Sequence, residues 1–332
     1  MQAHEPEQQP VSRHVCTGRL PSRDMVRAAL DEAYNRYRSD QSGTNSQVYP
    51  ALARVPREKF GICVAGTDGA VYAVGDADDE FAIMSVSKPF VFALVCQREG
   101  PERVRQWLGV NSTGLPFNSV AAVERTADGR TNPMVNAGAI AATSLVPGAS
   151  LEQRWETIVG GLSRFAGRRL VVNDEVYASA SETNFTNRST AWMLHARGRI
   201  NGDPMEATDL YTRQCSLNVS ARDLAVMGAT LADGGVNPVT KEQVVDRMVC
   251  HYTLAVMLTA GFYESSGDWL YDIGVPGKSG IGGGIVAVAP GKGGLGTFAP
   301  PLDESGNSVK GQLVARHLAQ SLGLDLLASE PT

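Results

Sequence analysis

Cysteine is scarce in this sequence, and neither apolar residues nor charges of one sign form a long run. The five cysteines, Cys16, Cys63, Cys96, Cys215 and Cys250, are odd in number, scattered and without a C-x-x-C pair. That excludes a disulfide framework and reads as reduced thiols in a cytoplasmic protein. No apolar stretch reaches the roughly 18 residues that a membrane-spanning helix needs. No basic tract accompanies the formal charge of -5, so a nucleic-acid backbone is not the expected partner. Histidine is also rare, and His4, His14, His195, His251 and His317 show no H-E-x-x-H or other paired ligand spacing. No catalytic metal and no cofactor is therefore expected. The opening stretch, Met1 to Arg19, places Glu5, Glu7, Gln8, Gln9 and Pro10 where an export signal needs an apolar core. Residues 1–20 are expected to form a mobile tail.

What is present suits a folded globular chain. The sequence runs to 332 residues, 43% hydrophobic and 20% charged, enough to bury a core without a disulfide or a structural metal. Ser22 is a plausible N-cap for a helix whose Met25, Val26, Ala29, Leu30, Ala33, Tyr34 and Tyr37 recur at helical spacing. Two β-prone runs, Ile62 to Ala65 and Val71 to Val74, flank Thr67-Asp68-Gly69, a hairpin signal. A second pair, Ile285 to Val288 and Leu295 to Phe298, flanks a Pro290 to Gly294 turn, and an amphipathic helix closes the chain. Between Pro89 and Ala260 the periodicity is mostly helical, with one clear helix at Ala221 to Ala232 stopped by Gly234-Gly235. Strands near both ends and helices between them predict an α/β fold, with one sheet covered by the terminal helices and an inserted all-α subdomain. The expected division is residues 21–88 with 261–325 for the sheet part, and 89–260 for the helical part.

The sharpest chemistry lies at Met84-Ser85-Val86-Ser87-Lys88, an S-x-x-K at the head of an apolar helix. Three residues along a helix is about one turn, which brings the Lys88 amine beside the Ser85 hydroxyl. A lysine made neutral by burial can take the serine proton and activate it as a nucleophile. Downstream, Lys278-Ser279-Gly280 opens the Ile285 strand and is the usual companion of S-x-x-K. The Ile281 N–H is a candidate oxyanion donor. Gly277-Lys278-Ser279 is not a P-loop, because the required earlier glycine is Asp272 here. Ser216-Leu217-Asn218 resembles the third, S-x-N element of such enzymes, but reads more simply as a polar loop before the Ala221 helix.

Further segments resemble the serine-dependent glutaminases. They are Asn132 to Ala139 (N-P-M-V-N-A-G-A), Asp209 to Ser216, Leu224 to Pro238, Gly261-Phe262-Tyr263, Pro276 to Gly284 and Leu302 to Ser308. The resemblance runs in order over roughly residues 45–320. It implies a β-lactamase/transpeptidase-like fold and hydrolysis of L-glutamine to L-glutamate and ammonia, in a homo-oligomer, dimer or tetramer. It also implies that Ser85 is the nucleophile, Lys88 its activator and Tyr263 a proton-transfer partner, with Asn136, Asn187, Tyr211 and Ile281 at the substrate. A β-lactam-reactive serine hydrolase or transpeptidase and a non-catalytic amino-acid sensor are the rival readings.

Two departures stand out. The glutamate that the family places seven residues before its binding asparagine falls on Ala180, and the nearest acid is Glu182. Glu182 is expected to supply the missing carboxylate. The family's Y-I-P reads Val48-Tyr49-Pro50, so its tyrosine position falls on Val48. Tyr49 is expected to replace it only if the backbone shifts.

Overall fold

The computed structural model describes residues 18–329, so most of the expected tail lies outside the described residues. Among the described residues seven strands form: β1 (Gly61–Gly66), β2 (Val71–Gly75), β3 (Phe81–Ala82), β4 (Asn218–Val219), β5 (Gly277–Ser279), β6 (Gly284–Ala289) and β7 (Gly293–Phe298). Five of them make one antiparallel sheet in the order β2-β1-β7-β6-β5. The two ends of the chain therefore meet at the β1–β7 pairing, where Ile62 faces Thr297 and Val64 faces Leu295.

Period-two alternation decides which layer each strand residue enters. Ile62, Val64, Ile285, Ala287 and Leu295 share a core with Val26 and Leu30 of the Arg23–Tyr37 helix and Val314 and Leu318 of the Val309–Ser321 helix. On the opposite face Cys63, Ala65, Val286, Val288 and Phe298 join the larger core of the helical segments. The Ala221–Ala232 helix lies directly against that face. Its approach depends on glycines: a Cβ on Gly296 of β7 would stand 2.0 Å from Ala221 O. Ser220 and Asp223 form a capping box at the start of this helix, and Arg168 holds Asp223 through two bonds of 2.8 and 2.7 Å. The helix ends as its sequence predicts, with Gly234 and Gly235 at φ of 60° and 90°.

The short β3–β4 ladder is absent from the sequence-based expectation, and it positions the chemistry. Phe81 pairs with Val219, and the Ile83 N–H donates to Leu217 O at 2.9 Å. The Phe81 ring stacks on Phe298 with centroids 4.1 Å apart. The chain leaving β3 is thus fixed to both the sheet and the helical layer immediately before Ser85. The Ser216-Leu217-Asn218 element acts here through its backbone, while the Ser216 hydroxyl donates to Thr212 O.

Candidate active site

Ser85 lies in a 3-10 turn, Met84–Val86, that runs into the buried Ser87–Glu99 helix. Met84 carries a φ of 49°, a left-handed conformation that costs energy for a residue with a side chain. Tyr263 opens a second 3-10 turn, Tyr263–Ser265, with a φ of 56°. Met84 and Ser85 of the first turn line one cavity.

Lys88 is fully buried, and its Nζ donates to Asn136 Oδ1 at 2.7 Å and to Met134 O at 3.2 Å. Burial lowers its pKa to about 7, with Cys215 pulling weakly the other way. A neutral amine has two hydrogens and one lone pair. Both hydrogens are committed to carbonyl oxygens, so the lone pair is left for a proton. Asn136 opens the Asn136–Ser144 helix, and its Nδ2 donates onward to Asn187 Oδ1 at 2.9 Å. The Tyr211 hydroxyl donates to Asn136 Oδ1 at 3.0 Å.

Tyr263 stands between the two lysines and the serine. Its ring lies 3.9 Å from Lys278 Nζ and 5.5 Å from Lys88 Nζ, and its hydroxyl donates to Ser279 O at 3.5 Å, with the Ser85 side chain close enough to lower its pKa against the effect of burial. Burial, the largest cause, raises the Tyr263 pKa well above that of a free phenol, so the hydroxyl keeps its proton at neutral pH. Lys278 is held well below its ordinary value by burial first and by Lys88 second, and its Nζ donates to Ser279 O at 2.6 Å. The strand β5 thus brings Lys278 to the Ser85 turn. Gly280 follows, where a Cβ would sit 3.3 Å from Ser85 N. A side chain there would be tight against Ile83 O, Val86 and Ser85 N, so glycine suits this close approach of the β5 end to the Ser85 backbone, and Ser85 and Ile281 both line the cavity.

The cavity measures about 640 Å³ with its open mouth included. Ser85, Asn136, Asn187, Tyr211 and Ile281 line it. Glu182 does not: it is exposed near the end of the Asp174–Thr183 helix, and Ala180 of the same helix lines the wall instead. The expectation that Glu182 supplies a carboxylate to the site is therefore corrected. Two residues apart on a helix means directions about 200° apart, so both cannot face the cavity. Val48 and Tyr49 both line the cavity, Val48 half-exposed at the rim and Tyr49 buried. The Tyr49 hydroxyl meets the Asn187 side chain, and burial raises its pKa to about 12.

Sequence reasoning missed Phe117, Asn184, Thr212 and Cys215, all of which line the cavity. Cys215 stands four positions after Tyr211 in the Pro204–Cys215 helix, so helical spacing from Tyr211 was the available signal for it, whereas Thr212, one position on, had none. Phe117 and Asn184 lie in loop and helix-junction positions with no periodicity to reveal them.

The family model for glutaminase matches residues 43–327. The chain belongs to the glutaminase family. It is 66% identical over 318 residues to glutaminase 2 of Yersinia pestis, covering 96% of this chain and 94% of that one. It is 48% identical to a glutaminase of Mycobacterium ulcerans, covering 91% and 94%. Among solved structures, a probable glutaminase, ybaS, superposes with a TM-score of 0.91 at 44% identity, covering 93% of this chain and 100% of that one. A Bacillus glutaminase superposes with a TM-score of 0.82 at 32% identity, covering 91% and 100%. The fold is accordingly the β-lactamase-like α/β fold of the glutaminases.

Proposed function

We propose that this glutaminase hydrolyses the side-chain carboxamide of L-glutamine to L-glutamate and ammonia through an ester on Ser85. The observation that carries the reading is Lys88, an amine lowered to about 7 by burial, with both hydrogens of its neutral form engaged by Asn136 and Met134. Near neutral pH about half of it is a free base, the condition for taking the Ser85 proton.

Ser85 Oγ adds to the carboxamide carbon as Lys88 accepts its proton. The oxygen that becomes negative is received by the Ser85 and Ile281 N–H groups. Tyr263, beside Ser85 and still carrying its proton, passes that proton to the departing nitrogen and takes the serine proton back from Lys88, which is again a free base. The C–N bond breaks, ammonia leaves, and the acyl ester remains. Water then gives its proton to Lys88 and adds to the ester, and Ser85 leaves with a proton returned. Asn136, Asn187 and Tyr211 bind the substrate through uncharged groups. Tyr49 joins Asn187 at the position where the family tyrosine is displaced.

No helix among the described residues is long and apolar enough to cross a membrane, and Cys63, Cys96, Cys215 and Cys250 are free thiols. We place the enzyme in the cytoplasm on that basis, as a homo-oligomer in keeping with its family resemblance.

The test is Ser85→Ala. Ammonia release from glutamine should vanish while the melting temperature stays unchanged. Rapid-quench mass spectrometry of the unmodified protein should meanwhile detect one added glutamyl group. Sustained ammonia release by the alanine variant ends the proposal.

A further inference from the structure

The turn that carries Tyr263 is pinned firmly at its backbone and loosely at its phenol. Ser266 Oγ donates to Tyr263 O at 2.8 Å and accepts the Phe262 N–H at 3.1 Å. Ser265 Oγ donates to Phe262 O at 2.8 Å and accepts from Asn307 Nδ2 at 3.0 Å. These bonds hold the Tyr263 backbone at its left-handed φ of 56°. The hydroxyl end has a long bond of 3.5 Å to Ser279 O, a carbonyl that Lys278 Nζ already engages at 2.6 Å. A long bond suits a phenol that must release its proton, but it does not fix where the phenol points. That falls to what packs on the ring.

Phe117 packs on it, with the two ring centroids 5.0 Å apart and the planes tilted by 38°. It belongs to the stretch 109–120, which forms no helix or strand, and it lies half-buried on the cavity wall. Its own place is set from the other side of the site: Phe117 O accepts the Asn136 N–H at 2.9 Å. Asn136 is the residue whose Oδ1 holds Lys88 Nζ. One residue thus touches both proton-handling groups, through its carbonyl on the Lys88 side and through its ring on the Tyr263 side.

We infer that Phe117 is a positioning residue for release of the leaving group, its carbonyl docked on Asn136 and its ring holding the Tyr263 phenol where the departing nitrogen can take its proton. The inference rests on the proton transfer assigned to Tyr263 above. Without the ring, Tyr263 has other rotamers open to it, and the transfer loses its geometry.

Two substrates separate this role from a merely structural one. The nitrogen of L-glutamine leaves only when protonated, whereas the γ-methyl thioester of L-glutamate releases a thiolate that needs no proton. Values of kcat/KM are taken from ammonia and from thiol release, with spontaneous cyclisation of the thioester subtracted. Phe117→Ala should lower kcat/KM at least about tenfold for glutamine and less than about threefold for the thioester. The acidic limb for glutamine should stay near pH 7, because the base is untouched. Phe117→Tyr keeps the ring and should remain within about threefold of the native enzyme on both substrates. Should the alanine variant not fold, Phe117→Leu, which keeps apolar volume without a ring, is held to the same contrast. Equal losses with the two substrates, or no loss with glutamine, overturn the inference. Tyr263→Phe tells that failure from a deeper one. If it loses glutamine turnover selectively while Phe117→Ala loses both alike, the positioning role alone falls. If it hydrolyses glutamine at the native rate, the proton transfer falls and the inference with it.

Discussion

Lys88 and Tyr211 donate to the same atom, Oδ1 of Asn136, at 2.7 and 3.0 Å. One neutral carbonyl thus holds the amine proposed as the base and a tyrosine from a different helix. Because that acceptor is an amide and not a carboxylate, it directs the amine while stabilising its protonated form less than a carboxylate would. If Lys88 is the base as proposed, the neutrality of Asn136 is a requirement of the mechanism.

Asn136→Asp tests that requirement. A carboxylate at 2.7 Å from Lys88 Nζ favours the ammonium and opposes the effect of burial. The acidic limb of kcat/KM should move to higher pH by about one unit or more. Activity at pH 7 should fall, with part of it regained in alkaline buffer. A profile that stays in place with a uniformly lowered plateau would show that Asn136 only binds substrate.

The native profile has its own expected form. Lys88 must be neutral to act as base and its pKa is about 7, so kcat/KM should rise as pH increases through about 7 and then level. Lys88→Ala should cost about a thousandfold, within the range of a lost general base, and abolish that limb. Initial rates of ammonia release from pH 5 to 9 decide the matter. A rise centred near pH 4 would assign the base to a carboxylate instead.

Glu182→Ala should change kcat/KM by less than twofold. Glu182 is exposed and Ala180, not Glu182, faces the cavity. A loss of tenfold or more in steady-state assays would return Glu182 to the substrate.

How much of this site was legible in the sequence depends on how each residue reaches it. Lys278 was exposed by the K-S-G motif alone, and it lies inside the three-residue β5 paired with β6 instead of opening the Ile285 strand as expected. Ser85 and Lys88 share one helical turn, so spacing exposed them. The sheet followed for the same reason: Ile62, Val64 and Ile285 alternate toward one core, and Cys63 and Val286 toward the other. The β3–β4 ladder was hidden because two residues per strand carry no period. Glu182 misled because chemical type was weighed over helical direction. Tyr49 depended on a local turn of the chain before Pro50, which no pattern of residue types records.

The last prediction concerns the support beneath the site. Gly296 sits in the middle of β7, between β1 and β6, with the Ala221–Ala232 helix directly against it. A methyl group there would lie 2.0 Å from Ala221 O and 2.7 Å from Ala225 N. Both are backbone atoms of a helix anchored by its capping box and Arg168, so neither can step aside as a flexible side chain would. The helix must move off the sheet, loosening the core that Phe298 shares with Phe81 and, through β3, the turn that carries Ser85. Gly296→Ala should therefore destabilise the protein by about 1–3 kcal/mol, the ordinary cost of overpacking, despite adding apolar surface. Denaturant unfolding measures it as a lower midpoint at unchanged slope. A midpoint equal to that of the native protein would mean that the helix does not rest on the glycine.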